Sequence, residues 1–310
     1  MAKPLTRILR KLCNKMGYDL LRLQKTRIHD DTESGHGRGD GFDAFEASVP
    51  REIKSFDIYL RSCARIEVFG QERGRFNGAA KSEVLLRCLN SLIRSINYAM
   101  AHHVDTPITL TIIDDHSSPS VVDGIEALLK DADCPARLHR LAEQGMSHSL
   151  AETFGMAKRE AGDVIYFLED DYLHDERSIL ETIQSYGRIA ATLKTDVILF
   201  PADYPEYYRH VWSTHLLLGS HRHWRRIPAT TGTQVLSKQI LIQHWDKYQG
   251  LTRYGSDPSV TEANTINRVL ETVPGYSPLP ALAVHFQHLD TMSPYFDWET
   301  CWNNAALPKA

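Results

Sequence analysis

Val164-Ile165-Tyr166-Phe167-Leu168-Glu169-Asp170-Asp171-Tyr172 decides how this chain is read: five apolar, mostly β-favouring residues run without a polar break and then stop at three consecutive carboxylates. A short apolar run bounded by polar residues is the pattern of a strand buried on both faces in a parallel sheet. Ligands of open α/β sheets bind just beyond the carboxyl ends of such strands. Three acids placed there repel one another unless a cation is near. Hard oxygen ligands on a rigid strand suit a divalent metal that also holds substrate phosphates. The plainer alternative is an acidic turn in which Asp171 caps a helix starting near Asp175.

Upstream of this strand, apolar periodicity predicts an alternation of elements. Residues 55–64 read as a first core strand, and residues 65–81, with three glycines and many charges, as an active-site loop. Val84, Leu85, Leu89, Leu92, Ile93 and Ile96 recur at helical spacing within 82–100. A second strand over 108–113 ends at Asp114-Asp115-His116-Ser117, and 121–129 is helical. A short strand over 136–141 and a helix over 147–161 follow, before Gly162-Asp163 turns the chain into the acidic strand. Strand and helix alternate, with carboxylates at two strand ends, which predicts an α/β fold built on a parallel sheet.

These segments, in this order, resemble the nucleotide-sugar half of a GT-A fold glycosyltransferase, closest to the family 2 type. The resemblance rests on Tyr59-Leu60-Arg61-Ser62, Leu85-Leu86-Arg87-Cys88-Leu89-Asn90-Ser91-Leu92, Ile112-Ile113-Asp114-Asp115-His116-Ser117, Glu143-Gln144-Gly145 and the Gly162-Asp163 that precedes the acidic strand. It covers residues 56–180 well and the rest loosely. It implies a GT-A (Rossmann-like) mostly parallel sheet flanked by helices. It also implies metal-dependent, inverting transfer of a sugar from a nucleotide-sugar donor, a UDP-sugar first, to a glycan, lipid-linked or other hydroxyl acceptor.

The same resemblance assigns expected roles. Asp115, or its neighbour Asp114, would accept hydrogen bonds from the base or ribose. Glu169 stands where the first Asp of the family's DxD motif lies, with Asp170 beside it in the donor site, and Asp171 would coordinate Mn2+ or Mg2+. Arg61, Arg65, Arg73 and Arg75 would either approach the donor or be solvated. His285 or His288, three residues apart on a short strand over 283–288, would complete the metal site. The family's catalytic base opens a late helix. Glu262 matches the first acid of its usual pair, but Ala263 replaces the second, so Asp257 remains the other candidate. A place at the start of a helix over 263–270 would favour ionised Glu262.

Farther along, residues 176–193 read as a helix, 196–201 as a strand and 238–248 as a helix. Tyr204, Tyr207 and Tyr208, interleaved with acids, suit either sugar stacking or packing at a sheet edge. His221 and His223 form an HxH pair without a third ligand at motif spacing, so a surface strand is the better reading. The aromatic segment 291–302 would pack over the acceptor groove or act as a lid.

Composition sets the outer limits. The chain has 310 residues, 42% hydrophobic, enough for a full core, and its formal charge of -4 gives no reason to expect nucleic acid as a partner. Its 5 scattered cysteines form no CxxC pair, which favours a reducing compartment. No apolar stretch approaches a membrane span and no secretory signal opens the chain, so a cytoplasmic protein is expected. Residues 1–28 set eight Lys and Arg against the single acid Asp19, with Leu5, Ile8, Leu9, Leu12 and Met16 at helical spacing. This basic amphipathic segment suits either an anionic membrane surface or packing on a domain or a second subunit. The expected order is therefore the basic helix 1–28, a linker 29–50, a GT-A domain 51–290 (a nucleotide-sugar half 51–180 and an acceptor half 181–290), and an aromatic tail 291–310. Two other classes compete: a nucleotidyltransferase, whose Gly-rich basic signature Arg61-Ser62-Cys63-Ala64 does not supply, and an inactive nucleotide-sugar or glycan-binding scaffold.

Overall fold

The acidic strand is β4 of a nine-stranded sheet, and its side chains alternate between two hydrophobic cores. Val164, Tyr166 and Leu168 enter one core, while Ile165 and Phe167 enter the other. A strand flanked by helices on both faces has no solvent side, which is why its run of apolar residues is continuous.

The computed structural model describes residues 49–64, 78–102, 104–209 and 214–307. The segment 1–28, nearly all of the linker, and Arg65, Arg73, Arg75 and His210 lie outside them. In chain order the first half runs β1 (Phe56–Ser62), α1 (Lys81–Ala101), β2 (Ile108–Asp114), α2 (Pro119–Leu129), β3 (Ala136–Arg140), α3 (Met146–Glu160), β4 (Val164–Glu169), β5 (Tyr172–His174) and α4 (Ser178–Leu193). The second half runs β6 (Ile198–Leu199), α5 (Glu206–Arg209), β7 (Leu216–Leu218), β8 (His223–Arg226), β9 (Gln234–Ser237), α6 (Lys238–Gln243), α7 (Trp245–Leu251), β10 (Gly275–Leu279), β11 (Ala283–His285) and α8 (Trp298–Asn304). Sheet order is β3-β2-β1-β4-β9-β6-β10-β8-β7, with β3, β2, β1 and β4 mutually parallel. Helices α1, α2 and α4 cover one face, and α3, α6 and α7 cover the other. This is the expected GT-A-like α/β architecture.

The sequence reading and the structure differ at four places. The helix expected over 238–248 is two short helices, α6 and α7, separated at His244. The helix expected over 263–270 is two 3-10 turns, Glu262–Asn264 and Ile266–Glu271, broken at Thr265, whose φ of -122° and ψ of -103° are not helical. Strands β5 and β10 were not expected from the sequence. β5 is three residues long, and β10 contains Pro278, which hides its strand character. Finally, the aromatic segment near the end contains a helix, α8, that was not expected from the sequence. Helix α8 lies on α1, with the Trp302 and Phe286 rings stacked at 4.6 Å and the Arg87 guanidinium 4.4 Å over Trp302. Among the described residues no helix is long and apolar enough to cross a membrane.

One buried ion pair ties the second half together. Arg222, between β7 and β8, donates to both oxygens of Glu181 on α4 at 2.6 and 2.9 Å, and its remaining nitrogen donates to the carbonyls of Pro280 and Ala281. Glu181 is 1% exposed. Removing one partner of such a pair strands the other charge away from water. Arg222→Ala should therefore lower unfolding stability by about 3–5 kcal/mol, read by urea unfolding, and a loss no larger than that of a surface substitution would show that Glu181 does not depend on the pair.

Candidate functional site

The parallel register builds the site. Arg61 pairs in register with Ile113 of β2 and with Glu169 of β4, and Ser62 with Asp114, so the carboxyl ends of β1, β2 and β4 stop at one level. Their end residues face a cleft of about 370 Å³. Its lining includes Arg61, Asp115, Glu169, Asp170, Asp171, Glu262 and His285.

The three acids at the end of β4 each meet a basic side chain of the protein, an arginine, a lysine and a histidine. Arg61 Nη2 donates to Glu169 Oε1 at 2.9 Å, as the register requires. Lys81, the first residue of α1, donates to Asp170 Oδ1, and Cys63 N–H donates to Asp170 Oδ2 at 2.8 Å. His285 Nε2 lies 3.2 Å from Asp171 Oδ1. The repulsion expected of the triplet is thus answered by a different partner for each carboxylate. Lys81 is a site residue that the sequence reading passed over. Its signal was present, since it is the last residue of the charged loop 65–81 that leads into α1.

His285 reaches Asp171 through the small sheet. After Asp171 the chain enters β5, which pairs antiparallel with β11 so that His285 stands opposite Tyr172. Phe286 N–H donates to the Asp171 carbonyl at 2.6 Å, which closes the pairing. The Tyr172 and His285 rings stack at 4.9 Å, 4° from parallel, and Tyr204 Oη lies 3.2 Å from His285 Nδ1. Tyr204 also bonds Tyr172 Oη at 2.8 Å, so it packs behind the histidine rather than in a sugar-stacking position. Burial lowers the His285 pKa, but Asp171 and Glu169 outweigh it and the net shift is upward. His288 lies outside the cleft lining, at the start of the 3-10 turn Leu289–Thr291, where its carbonyl accepts from Thr291.

Of the paired acids after β2, Asp115 lines the cleft and Asp114 does not. Asp114 is fully buried and accepts from Ser62 Oγ and from Ser117 N–H, each at 3.1 Å, so it shapes the turn. Asp115 accepts the Gly145 N–H at 3.1 Å. Gly145 has φ of 125°, which a side chain would strain, and this conformation aims its amide at Asp115.

Glu262 lines the same cleft as the acids that end β4, and its pKa is pushed up to about 7. Burial is the largest cause and the nearby Glu169 charge the next, while a Gly232 N–H, Arg61 and His285 act the other way. The helix start expected to hold Glu262 ionised is a three-residue 3-10 turn, and desolvation overrides it. Ala263 lines a neighbouring cavity with Arg226 and Asn267, so a carboxylate there would not face the donor cleft. Asp257 lies outside the cleft lining. It accepts from Ser259 N and Oγ at 3.0 and 2.6 Å, and those bonds lower its pKa. Tyr254, Thr231 and Gln287 complete the wall near Glu262 and His285 and were not singled out from the sequence.

A divalent ion would find Asp171 and His285 as adjacent oxygen and nitrogen donors on the cleft wall. Among the described residues no group of three or more His, Cys, Asp and Glu is placed to hold a metal. The pair fits an ion that takes the rest of its shell from substrate phosphates and water, the usual manner of Mg2+ and of Mn2+ in such sites.

Glu262 should titrate with a midpoint near 7 in carbon-13 carboxyl NMR, where an unperturbed Glu would sit near 4.5. Glu169→Gln should move the midpoint down and Arg61→Met should move it up. An unmoved midpoint in both variants would show that the two side chains do not sense Glu262.

The glycosyl transferase family 2 profile matches residues 76–247. No curated protein matches the sequence. Among solved structures, S. aureus TarS is similar at 12% identity over 81% of this chain and 39% of its own, with a TM-score of 0.45. A structure of TarS 1-349 in complex with UDP-GlcNAc is similar at 12% identity over 72% of this chain and 55% of its own, TM-score 0.39. UDP-glucose pyrophosphorylase complexed with UDP-glucose is similar at 7% identity over 76% of this chain and 94% of its own, TM-score 0.41. The chain thus spans well under half the length of the full TarS chain. Because the family profile covers more than half of its residues, this chain belongs to glycosyl transferase family 2.

Proposed function

We propose that the chain transfers a sugar from a nucleoside diphosphate sugar to a hydroxyl acceptor with inversion at the anomeric carbon, Glu262 acting as base. The observation that supports this best is the carboxylate of Glu262 in the same cleft as the acids that end β4, beside the Glu169 charge and with its pKa pushed up to about 7. A base whose pKa lies near the working pH accepts the acceptor proton efficiently while a substantial fraction of it remains ionised. Inversion needs such a group to take the acceptor proton as the hydroxyl attacks from the face opposite the leaving diphosphate, and that is the role proposed for Glu262.

In this reading the donor's base or ribose meets Asp115, the sugar or ribose hydroxyls meet Glu169, and Asp171 with His285 hold Mn2+ or Mg2+. When bound, the ion neutralises charge on the departing diphosphate. To join it His285 must be neutral, so ion binding releases any proton shared with Asp171. Arg61 holds Glu169 in place and limits its effect on Glu262. UDP-sugars are the first donors to test, and a glycan or lipid-linked hydroxyl is the proposed acceptor. Family membership sets the nucleotidyltransferase alternative aside, and the convergence of Asp115, Glu169, Asp171 and Glu262 on one cleft argues against an inactive scaffold.

Four experiments test this reading. Asp171→Ala should remove the Mn2+-dependent part of UDP affinity measured by calorimetry, and unchanged affinity would move the ion elsewhere. Glu262→Gln should lower turnover by about two orders of magnitude or more while donor binding is retained. In the parent enzyme kcat/KM should rise with pH and level off above about 7, because the base works deprotonated and its pKa is raised to that value. Product NMR showing retained anomeric configuration would defeat the single-displacement mechanism.

For residues 1–28 the proposal is attachment to an anionic membrane surface on the cytoplasmic side, with the acceptor presented there. Truncation should abolish co-sedimentation with anionic liposomes, and high salt should weaken it in the full chain. Equal sedimentation with and without the segment would favour packing on a domain or a second subunit.

A further inference from the structure

Lys81 sits at the acids that the proposed ion needs. Its ammonium donates to Asp170 Oδ1 and lies 4.0 Å from Asp171 Oδ2, and its side chain is 13% exposed. An ammonium and a divalent ion cannot share this corner without mutual repulsion. Asp170 would not be left unsatisfied by the departure of Lys81, because Cys63 N–H stays on its other oxygen at 2.8 Å. Asp171 would likewise keep His285.

The anchoring of Lys81 suits a movable side chain on a fixed base. It is the first residue of α1, whose opening turn is closed by Val84 N–H on the Ala80 carbonyl at 3.0 Å. Ala79 and Val84 pack in one cluster with Phe286 and Trp302, so α8 holds this end of α1 in place. From there a lysine extends a flexible four-carbon stem with three rotatable donors. Arg61, by contrast, is held to Glu169 by the strand register.

We propose that Lys81 is a donor-responsive cation: it neutralises Asp170 and Asp171 until a nucleoside diphosphate enters, then turns to the diphosphate and leaves those acids to the ion. Lys81 thereby discourages the ion from binding alone and makes ion and donor bind cooperatively. Coupling of this kind is reciprocal, so the ion's affinity rises with nucleotide by the same factor as the nucleotide's affinity rises with ion. This inference rests on the reading that Asp171 and His285 hold the ion.

The test is Mn2+ binding followed by the electron paramagnetic resonance of free Mn2+, with and without UDP, in the full chain. In the parent protein Mn2+ should bind weakly alone and tightly with UDP. Lys81→Gln should bind Mn2+ alone about tenfold or more tighter, since a neighbouring positive charge is gone. It should also bind UDP in the presence of Mn2+ about tenfold or more weaker, since a phosphate partner is lost. The coupling factor between the two ligands therefore shrinks. Lys81→Met gives the same readout should the Gln variant not fold. Unchanged Mn2+ affinity in the absence of UDP, or an equal fall in both affinities, overturns the role of Lys81. Asp171→Ala separates this failure from a failure of the metal reading. If Asp171→Ala removes Mn2+ binding while Lys81→Gln changes nothing, the ion site stands and Lys81 is structural. If Asp171→Ala leaves Mn2+ binding intact, the ion site itself is misplaced.

Discussion

The parallel pairing of β1 with β2 and β4 is the constraint on which the rest of the site depends. With Arg61 opposite both Ile113 and Glu169, the three strands end together, and Arg61, Ser62, Asp115 and Glu169 at or just after their ends line one cleft. A parallel sheet covered on both faces offers few exits for charge, and the strand ends are the main one. Shifting β4 by one residue would exchange the two cores, putting Ile165 and Phe167 where Tyr166 and Leu168 now pack, and would turn the acids away. Hydrophobic packing far from the chemistry therefore sets the placement of Glu169, Asp170 and Asp171.

The charges gathered there form a coupled set rather than a row of independent groups. Arg61 serves Glu169, Lys81 serves Asp170 and His285 serves Asp171, and each cation comes from a different part of the chain. Glu262 senses this set, with Glu169 raising its proton affinity and Arg61 and His285 lowering it. A change in how the β4 acids are neutralised therefore reaches the base without contact, through the field. In the proposed reaction a bound donor would rearrange those same charges, which would tie occupancy of the cleft to the protonation of Glu262.

Much of this was legible in the sequence, and the failures have physical reasons. The run 164–168 and the helical spacing of 82–100 were readable because long, buried elements repeat their pattern many times. The acids of β4 and Asp115 were readable because polar groups at the ends of apolar strands have few structural uses. The choice between His285 and His288 was not readable, because it depends on β11 stopping at His285 and pairing with a three-residue β5 that leaves no periodic trace. The choice between Asp114 and Asp115 turned on which side of a single turn each faces. Lys81 was hidden by its position at a loop–helix boundary, where a charged residue is ordinarily solvated. The pKa of Glu262 was misjudged because a helix start was assumed, whereas the chain makes one 3-10 turn whose few amides cannot offset desolvation.

The departure from the family's paired acids loses its weight once the geometry of that turn is considered. In a 3-10 turn successive side chains are about 120° apart, so neighbours along the chain point into different spaces. Glu262 and Ala263 do so here: the first lines the donor cleft, and the second lines a cavity with Arg226, Asn267 and Arg268. An acid at 263 would lie beside those two arginines, suited to pairing with them rather than to meeting an acceptor hydroxyl. Alanine at that position removes a charge from the neighbouring cavity and leaves the donor cleft as it was. The base proposed here requires a single carboxylate in the cleft, partly withdrawn from water and near a like charge, and Glu262 meets each of these conditions by itself.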